Sequence, residues 1–211
     1  MLFAIGLCGA AGARAQTTAK APSRLFVAFD VGPTFGHSSD VFVGGEAGLH
    51  WKDTIDFFLE GGHIGNVATA DFDTRASTIA NFVGADVSSV QKVNFADIGI
   101  RYHSPVFEKW DGYVGLAGGA AQVKNETVLS VNGSAVAPES LGVAFGADLN
   151  GSVRVGIVTL AVGATRDFDR KYFADVSVRY GRTFSKSDAD GNVIVPGLNT
   201  LRLQVGVGVR F

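Results

Sequence analysis

An all-β fold, a transmembrane antiparallel up-and-down β-barrel of eight strands, is the class this sequence predicts, and three observations carry the prediction. The last eleven residues alternate without interruption: Leu201, Leu203, Val205, Val207, Val209 and Phe211 on one side, Arg202, Gln204, Gly206, Gly208 and Arg210 on the other. A strand sends successive side chains to opposite faces, so one face is wholly apolar and the other holds two guanidiniums. Second, no apolar run approaches the ~20 residues a membrane helix needs, so any crossing is made by strands. Third, the composition is that of a β-rich chain, with 28 Gly and 16 Phe against 5 Pro and 1 Met in 211 residues. In a soluble sheet the apolar face would turn inward. In a membrane barrel it meets lipid while the polar face lines the interior.

The N-terminus predicts export. An apolar stretch from Leu2 to Cys8 runs through small residues to Ala13-Arg14-Ala15, an A-x-A site that predicts cleavage before Gln16. Residues 1–15 are therefore expected to be a signal peptide. It lacks a basic residue ahead of the apolar run, which leaves a translation start upstream open. The single cysteine, Cys8, would leave with the signal, and the mature chain would have no thiol chemistry. Residues 16–23 form a polar leader, and 24–211 form one barrel domain.

The strands follow in order. The first puts Leu25, Val27, Phe29 and Val31 opposite Ala28, Asp30 and Gly32. The second and third form a hairpin around Lys52 to Thr54, with Val43, Ala47, Leu49 and Trp51 opposite Glu46 and His50, then Phe57 and Leu59 opposite Asp56, Phe58 and Glu60. Gly65 to Val90 is too long for a tight turn and reads as an excursion outside the bilayer, its Asp86–Val90 end able to prolong the fourth strand. That strand sets Ala96, Ile98, Ile100 and Tyr102 against Asp97, Gly99 and Arg101. After a turn from His103 to Asp111, the fifth strand, Gly112 to Val123, sets Val114 and Leu116 against Tyr113, Gly115 and Ala117.

Lys124 to Gly156 leaves two readings open. Asn132-Gly133 and Asn150-Gly151 are good hairpin turns, and Leu141 to Ala147 alternates, so an additional membrane-crossing pair would make ten strands. A long outer loop with its own strands keeps the count at eight. The sixth strand is then Ile157 to Thr165 and the seventh Phe173 to Phe184, joined by a turn from Arg166 to Lys171. A loop from Ser185 to Asn199 precedes the closing strand. Connections after odd strands are mostly long and those after even strands short, as in barrels with long extracellular loops and short periplasmic turns. Trp51, Trp110, Tyr102, Tyr113, Phe168 and Tyr172 are expected near the short turns as an interfacial girdle.

Two segments carry a family resemblance: Phe173 to Phe184, with its Arg179-Tyr180-Gly181-Arg182 core, and the terminal Gly206-Val207-Gly208-Val209-Arg210-Phe211. With the alternating Gly-rich strands, they make the chain similar to the small bacterial outer-membrane β-barrel protein family, the type of the OmpA and OmpX barrels. The resemblance implies a Gram-negative outer-membrane location. It also implies lipid as a partner, and an assembly machinery that reads the last strand, with Phe211 as the C-terminal signal.

Inward-facing ionisable groups are the candidate site. Asp30, Glu46, Asp56, Glu60, Asp97 and Asp175 stand against Arg101, Arg179, Arg202 and Arg210, with His50 among them. An eight-stranded barrel is just wide enough to be filled by side chains, so these groups are expected to pair across the lumen as a structural plug; the other reading is a gated ion path. Glu46 and Glu60 could serve as acid and base of a hydrolase, but no nucleophile motif accompanies them, and His37, His50, His63 and His103 lack metal-ligand spacing. No enzyme, cofactor or metal is expected. Asp188 to Asn192 has a calcium-like spacing without the distal Glu and reads as an exposed turn. A net charge of −2 argues against a nucleic-acid partner. Two function classes remain: a structural or interaction barrel presenting loops 66–90 and 125–155 to an extracellular ligand, and a porin-like channel for ions or small solutes. A soluble exported barrel with an apolar interior is the third possibility.

Overall fold

A computed structural model describes residues 25–52, 54–187 and 193–211. The signal peptide expected over 1–15, the leader over 16–23 and the Asp188–Asn192 turn lie outside the described residues.

Among them are eleven strands: β1 (Leu25–Phe35), β2 (Asp40–Lys52), β3 (Ile55–Ile64), β4 (Asp86–Phe107), β5 (Trp110–Val131), β6 (Ser134–Val136), β7 (Gly151–Asp167), β8 (Tyr172–Thr183), β9 (Lys186–Ser187), β10 (Val193–Val195) and β11 (Asn199–Arg210). Eight of these are barrel staves. Antiparallel pairing runs β4, β3, β2, β1, β11, β8, β7, β5, and a further β4–β5 ladder closes the ring. Closure of first stave on last pairs Phe26 with Arg210 and Phe35 with Leu201. The ring leaves no stave with an open edge, which is the condition for strands to sit in hydrocarbon.

The alternation read from sequence sets which face points where. Apolar side chains stand outward on every stave, with Ile98 68% and Val207 61% exposed, while Asp30, Glu60, Arg179 and Arg202 are buried inside. This reverses the pattern a soluble barrel would need. Leu25, Phe211 and the tight turns lie at one end, and the longer connections lie at the other. At the short-turn end Trp51, Tyr102, Phe168 and Tyr172 stand outward. Tyr113 departs from the expected girdle: it is 3% exposed and points into the lumen, because it shares the parity of inward Gly115 and Ala117.

Several boundaries differ from expectation. β4 and β5 continue to a two-residue turn at Glu108 and Lys109, so His103 is a strand residue facing inward and not a turn residue. β5 also runs on past Val123 to Asn132-Gly133, whose φ values of 51° and 77° make the primed turn that returns the chain as β6. No additional membrane-crossing pair forms. The alternating stretch at 141–147 is a 3-10 turn (Pro138–Leu141) followed by irregular backbone, and Asn150-Gly151 leads directly into β7. β5 has already paired with β7 from Asn125↔Gly151 onward, so the intervening segment has no stave edge to join. In the β7–β8 turn, Asp169 accepts the N–H groups of Lys171 (2.6 Å) and Tyr172 (2.8 Å), which hold its carboxyl below the usual range.

The 65–90 excursion contains a helix, α1 (Ala70–Val83), before β4 starts at Asp86. Thr69 caps it by accepting the Phe72 N–H, Asp71 and Asp73 favour its N-terminus, and Gly84 ends it at φ 67°. Phe72, Ala76 and Ala80 recur every four residues on its buried side, and Phe72 and Ala76 pack with Ala68 and Leu149. The outer segments are thereby tied together. Arg75 pairs with Asp148 at 3.3 Å, Ser89 donates to Asp73 at 2.6 Å, and the Asn125 amide donates to the Ala147 and Asp148 carbonyls.

Candidate functional site

The lumen is filled in layers. At the short-turn end a vestibule of about 440 Å³ is bordered by Lys52, His103, Asp111, Asp167 and Arg210. His50 also lines it, and together with His103 it holds the buried Asp56 carboxylate, His50 Nδ1 on one oxygen and His103 Nε2 at 2.7 Å on the other. His50 and Asp56 are cross-strand partners in the β2–β3 hairpin. His103 arrives from β4 two residues beyond Arg101, the partner of Asp56. Sequence reading missed this trio because it placed His103 in a turn. The inward parity of His50 and Asp56 was the available signal.

Above it lies an aromatic layer of Phe26, Phe58, Phe173 and Tyr113. The Arg101 guanidinium sits among them, 4.3 Å from the Tyr113 ring centroid and 4.7 Å from that of Phe58. Inward glycines make room for these rings. A Cβ at Gly99 would lie 2.6 Å from the Phe58 ring, and one at Gly163 would lie 2.6 Å from the Tyr113 hydroxyl.

The middle of the bore is a single chain of charge. Arg101 pairs with Glu46; Arg179 reaches Glu46 at 3.0 Å and also pairs with Glu60; Arg202 reaches Glu60 at 3.2 Å. Three arginines and two glutamates from β2, β3, β4, β8 and β11 thus alternate across the lumen. Arg202 continues the stack, its guanidinium 4.5 Å from the Phe95 centroid and 4.8 Å from that of Phe42.

Toward the long-loop end the bore becomes apolar. Phe42, Ile64, Val93, Val123, Val153 and Val155 pack there with Val195 and Leu198 from the last connection. Farther out, the Gln91 amide donates to Asn125 at 2.9 Å.

The ten candidate lumen residues therefore divide. Glu46, Glu60, Arg101, Arg179 and Arg202 are brought into one network. Asp56 belongs to the histidine pair. Asp175 accepts the Tyr113 hydroxyl at 3.0 Å and Asp97 that of Thr159 at 2.8 Å, while Asp30 is buried beside Gly206; none of the three has an arginine within bonding distance among the described residues. Arg210 is apart from the network, paired with Asp167 at the vestibule rim and lying 4.6 Å from the Phe173 ring centroid. Phe211 is exposed at the same end, its N–H bonded to the Leu25 carbonyl.

No protein-family model matches the chain, and no curated protein sequence matches it. Solved structures do. Neisserial surface protein A is 12% identical with a TM-score of 0.56, over 89% of this chain and 97% of that one. The N-terminal β-barrel domain of Pseudomonas aeruginosa OprF is 14% identical with a TM-score of 0.51, over 90% of this chain and 98% of that domain. The fold is that of the small eight-stranded transmembrane β-barrels of bacterial outer membranes.

Proposed function

We propose that this protein is an integral outer-membrane β-barrel with a closed lumen, acting as a structural or surface-interaction protein through its long-loop end. On this reading the chain is exported by a signal peptide removed before Gln16, and the strand β11 with the Phe211 aromatic is read during assembly. The long-loop end is extracellular, and it is not a tangle of free loops. Helix α1, the projecting β4–β5 hairpin and the 137–150 segment pack into one platform, with Phe82 at its edge 87% exposed. Such a platform suits contact with an extracellular ligand.

The observation that carries the closed-lumen reading is the apolar cluster across the bore, stacked directly on the arginine–glutamate chain. A hydrated ion would have to displace both layers. Planar-bilayer recording tests this: the refolded protein is expected to give no sustained current above that of empty bilayers. The channel reading draws on two features: five lumen carboxylates outnumber the three arginines beside them, and a vestibule reaches inward from the periplasmic side. Reproducible open-channel current would establish it and defeat the closed lumen.

A further inference from the structure

The outer surface of β4, β5 and β7 differs from a uniform apolar wall. Cross-strand register orders it in rows. Ile98, Gly118 and Val158 lie side by side; Ala96, Ala120 and Gly156 form the next row toward the long-loop end; then Asn94, Gln122 and Arg154; then Lys92, Lys124 and Ser152. In the first row and below it, Gly118 lies between Ile98, Ile100, Leu116 and Val158 in a trough of about 510 Å³ open to the outside. The small residues of the second row keep that trough shallow and unobstructed toward the cations above.

The height of the cations follows from strand geometry. About ten residues of a tilted strand cross the bilayer core. Counted from Trp110 at the short-turn interface, β5 reaches the far interface near Ala120. Lys124, Lys92 and Arg154 then stand at the level of lipid headgroups, facing lipid and not the lumen. Lys92 and Lys124 are direct cross-strand partners, a like-charge juxtaposition that is unfavourable unless an anion answers it. Glu126 answers part of it, binding Lys92 at 2.7 Å and Lys124 at 2.6 Å from the side away from the membrane. One carboxylate against three cations leaves the membrane-facing side of the group positive.

We propose that this surface is a binding site for an acylated lipid with a phosphorylated headgroup, its chain in the Gly118 trough and its phosphate at Lys92, Lys124 and Arg154. The proposal rests on the outer-membrane reading above and names the lipid class that reading would place against these staves. The trough selects an acyl chain, the cations select the phosphate, and only a molecule with both spans the two.

The test uses native mass spectrometry of the detergent-refolded protein with dioleoyl phosphatidic acid, dioleoyl phosphatidylcholine and inorganic phosphate. Surface cations each favour an anionic headgroup by roughly fivefold. Phosphatidic acid is therefore expected to be retained at least about fivefold better than phosphatidylcholine by the unaltered protein. The preference is expected to fall to parity in a variant carrying Lys92→Gln, Lys124→Gln and Arg154→Gln. Gly118→Leu, which fills the trough from an outward position, is expected to weaken retention of both lipids while leaving the headgroup preference. Equal retention of the two lipids by the unaltered protein would overturn the proposal. So would displacement of phosphatidic acid by inorganic phosphate, which would assign the cations to a free anion. Heat-shifted electrophoretic mobility of the same samples reports the barrel independently, so loss of that shift would strike the membrane-barrel reading and not this one.

Discussion

Arg179 shows how much one side chain can hold in a narrow bore. It is fully buried between Glu46 and Glu60, and each of those carboxylates is shared with one further arginine. Removing it leaves two acids facing each other without the central cation. Arg179→Ala is therefore expected to cost about 3–5 kcal/mol in urea titrations of the vesicle-inserted barrel. Arg210→Ala is the contrast, since its partner Asp167 is half exposed at the rim, and such a pair is worth less than about 1 kcal/mol. Equal losses for the two variants would mean that the arginine–glutamate chain does not hold the barrel together. That Arg179 faces inward was legible from the alternation of Ala174 to Tyr180. Its partners were not, because Glu46 and Glu60 lie on strands across the ring.

At the scale of elements, facing and position part company. Period-two alternation placed most of the staves and their lipid faces, the stave at Ile157 to Thr165 following from strand count instead, so a charge on the outside has a calculable penalty. Val207→Arg is expected to cost roughly 2–4 kcal/mol, whereas Ser187→Arg, in an exposed connection, should leave stability unchanged. Matching unfolding curves for the two would show that the outer face of β11 does not meet lipid. The ends of β4, β5 and β7 were harder to read, because beyond the membrane both faces carry polar groups and the alternation fades while backbone pairing continues. Helix α1 was missed although its signals were present in Thr69, Asp71, Asp73 and Gly84; the Ala- and Thr-rich stretch lacks a strong apolar stripe. Its one large buried side chain is Phe72. Phe72→Ala is expected to open the platform to protease within 65–85, by a core loss of about 3–5 kcal/mol, while the heat-shifted mobility of the barrel persists. Loss of that shift together with the platform would show that the two fold as one unit.

The whole molecule is a closed ring whose stability comes from having no unpaired stave edge and whose specificity is confined to what the ring carries inside and at its long-loop end. Such a ring is expected to resist dodecyl sulfate until heated and to migrate faster before heating than after; identical mobility in both conditions would count against closure. The fold class, the lipid face of most staves and the inward parity of the ionisable groups were determined by the sequence itself, because a two-residue period is a local property of the chain. Tertiary structure alone decided which inward residues share a level. It separated Arg210 from the other arginines, brought His50 and His103 to one carboxylate, set the Arg101 guanidinium against Tyr113, and aligned Lys92, Lys124 and Arg154 above a trough. Each of these depends on the register of one stave against the next, and that register is set around the ring by closure, which no single strand records.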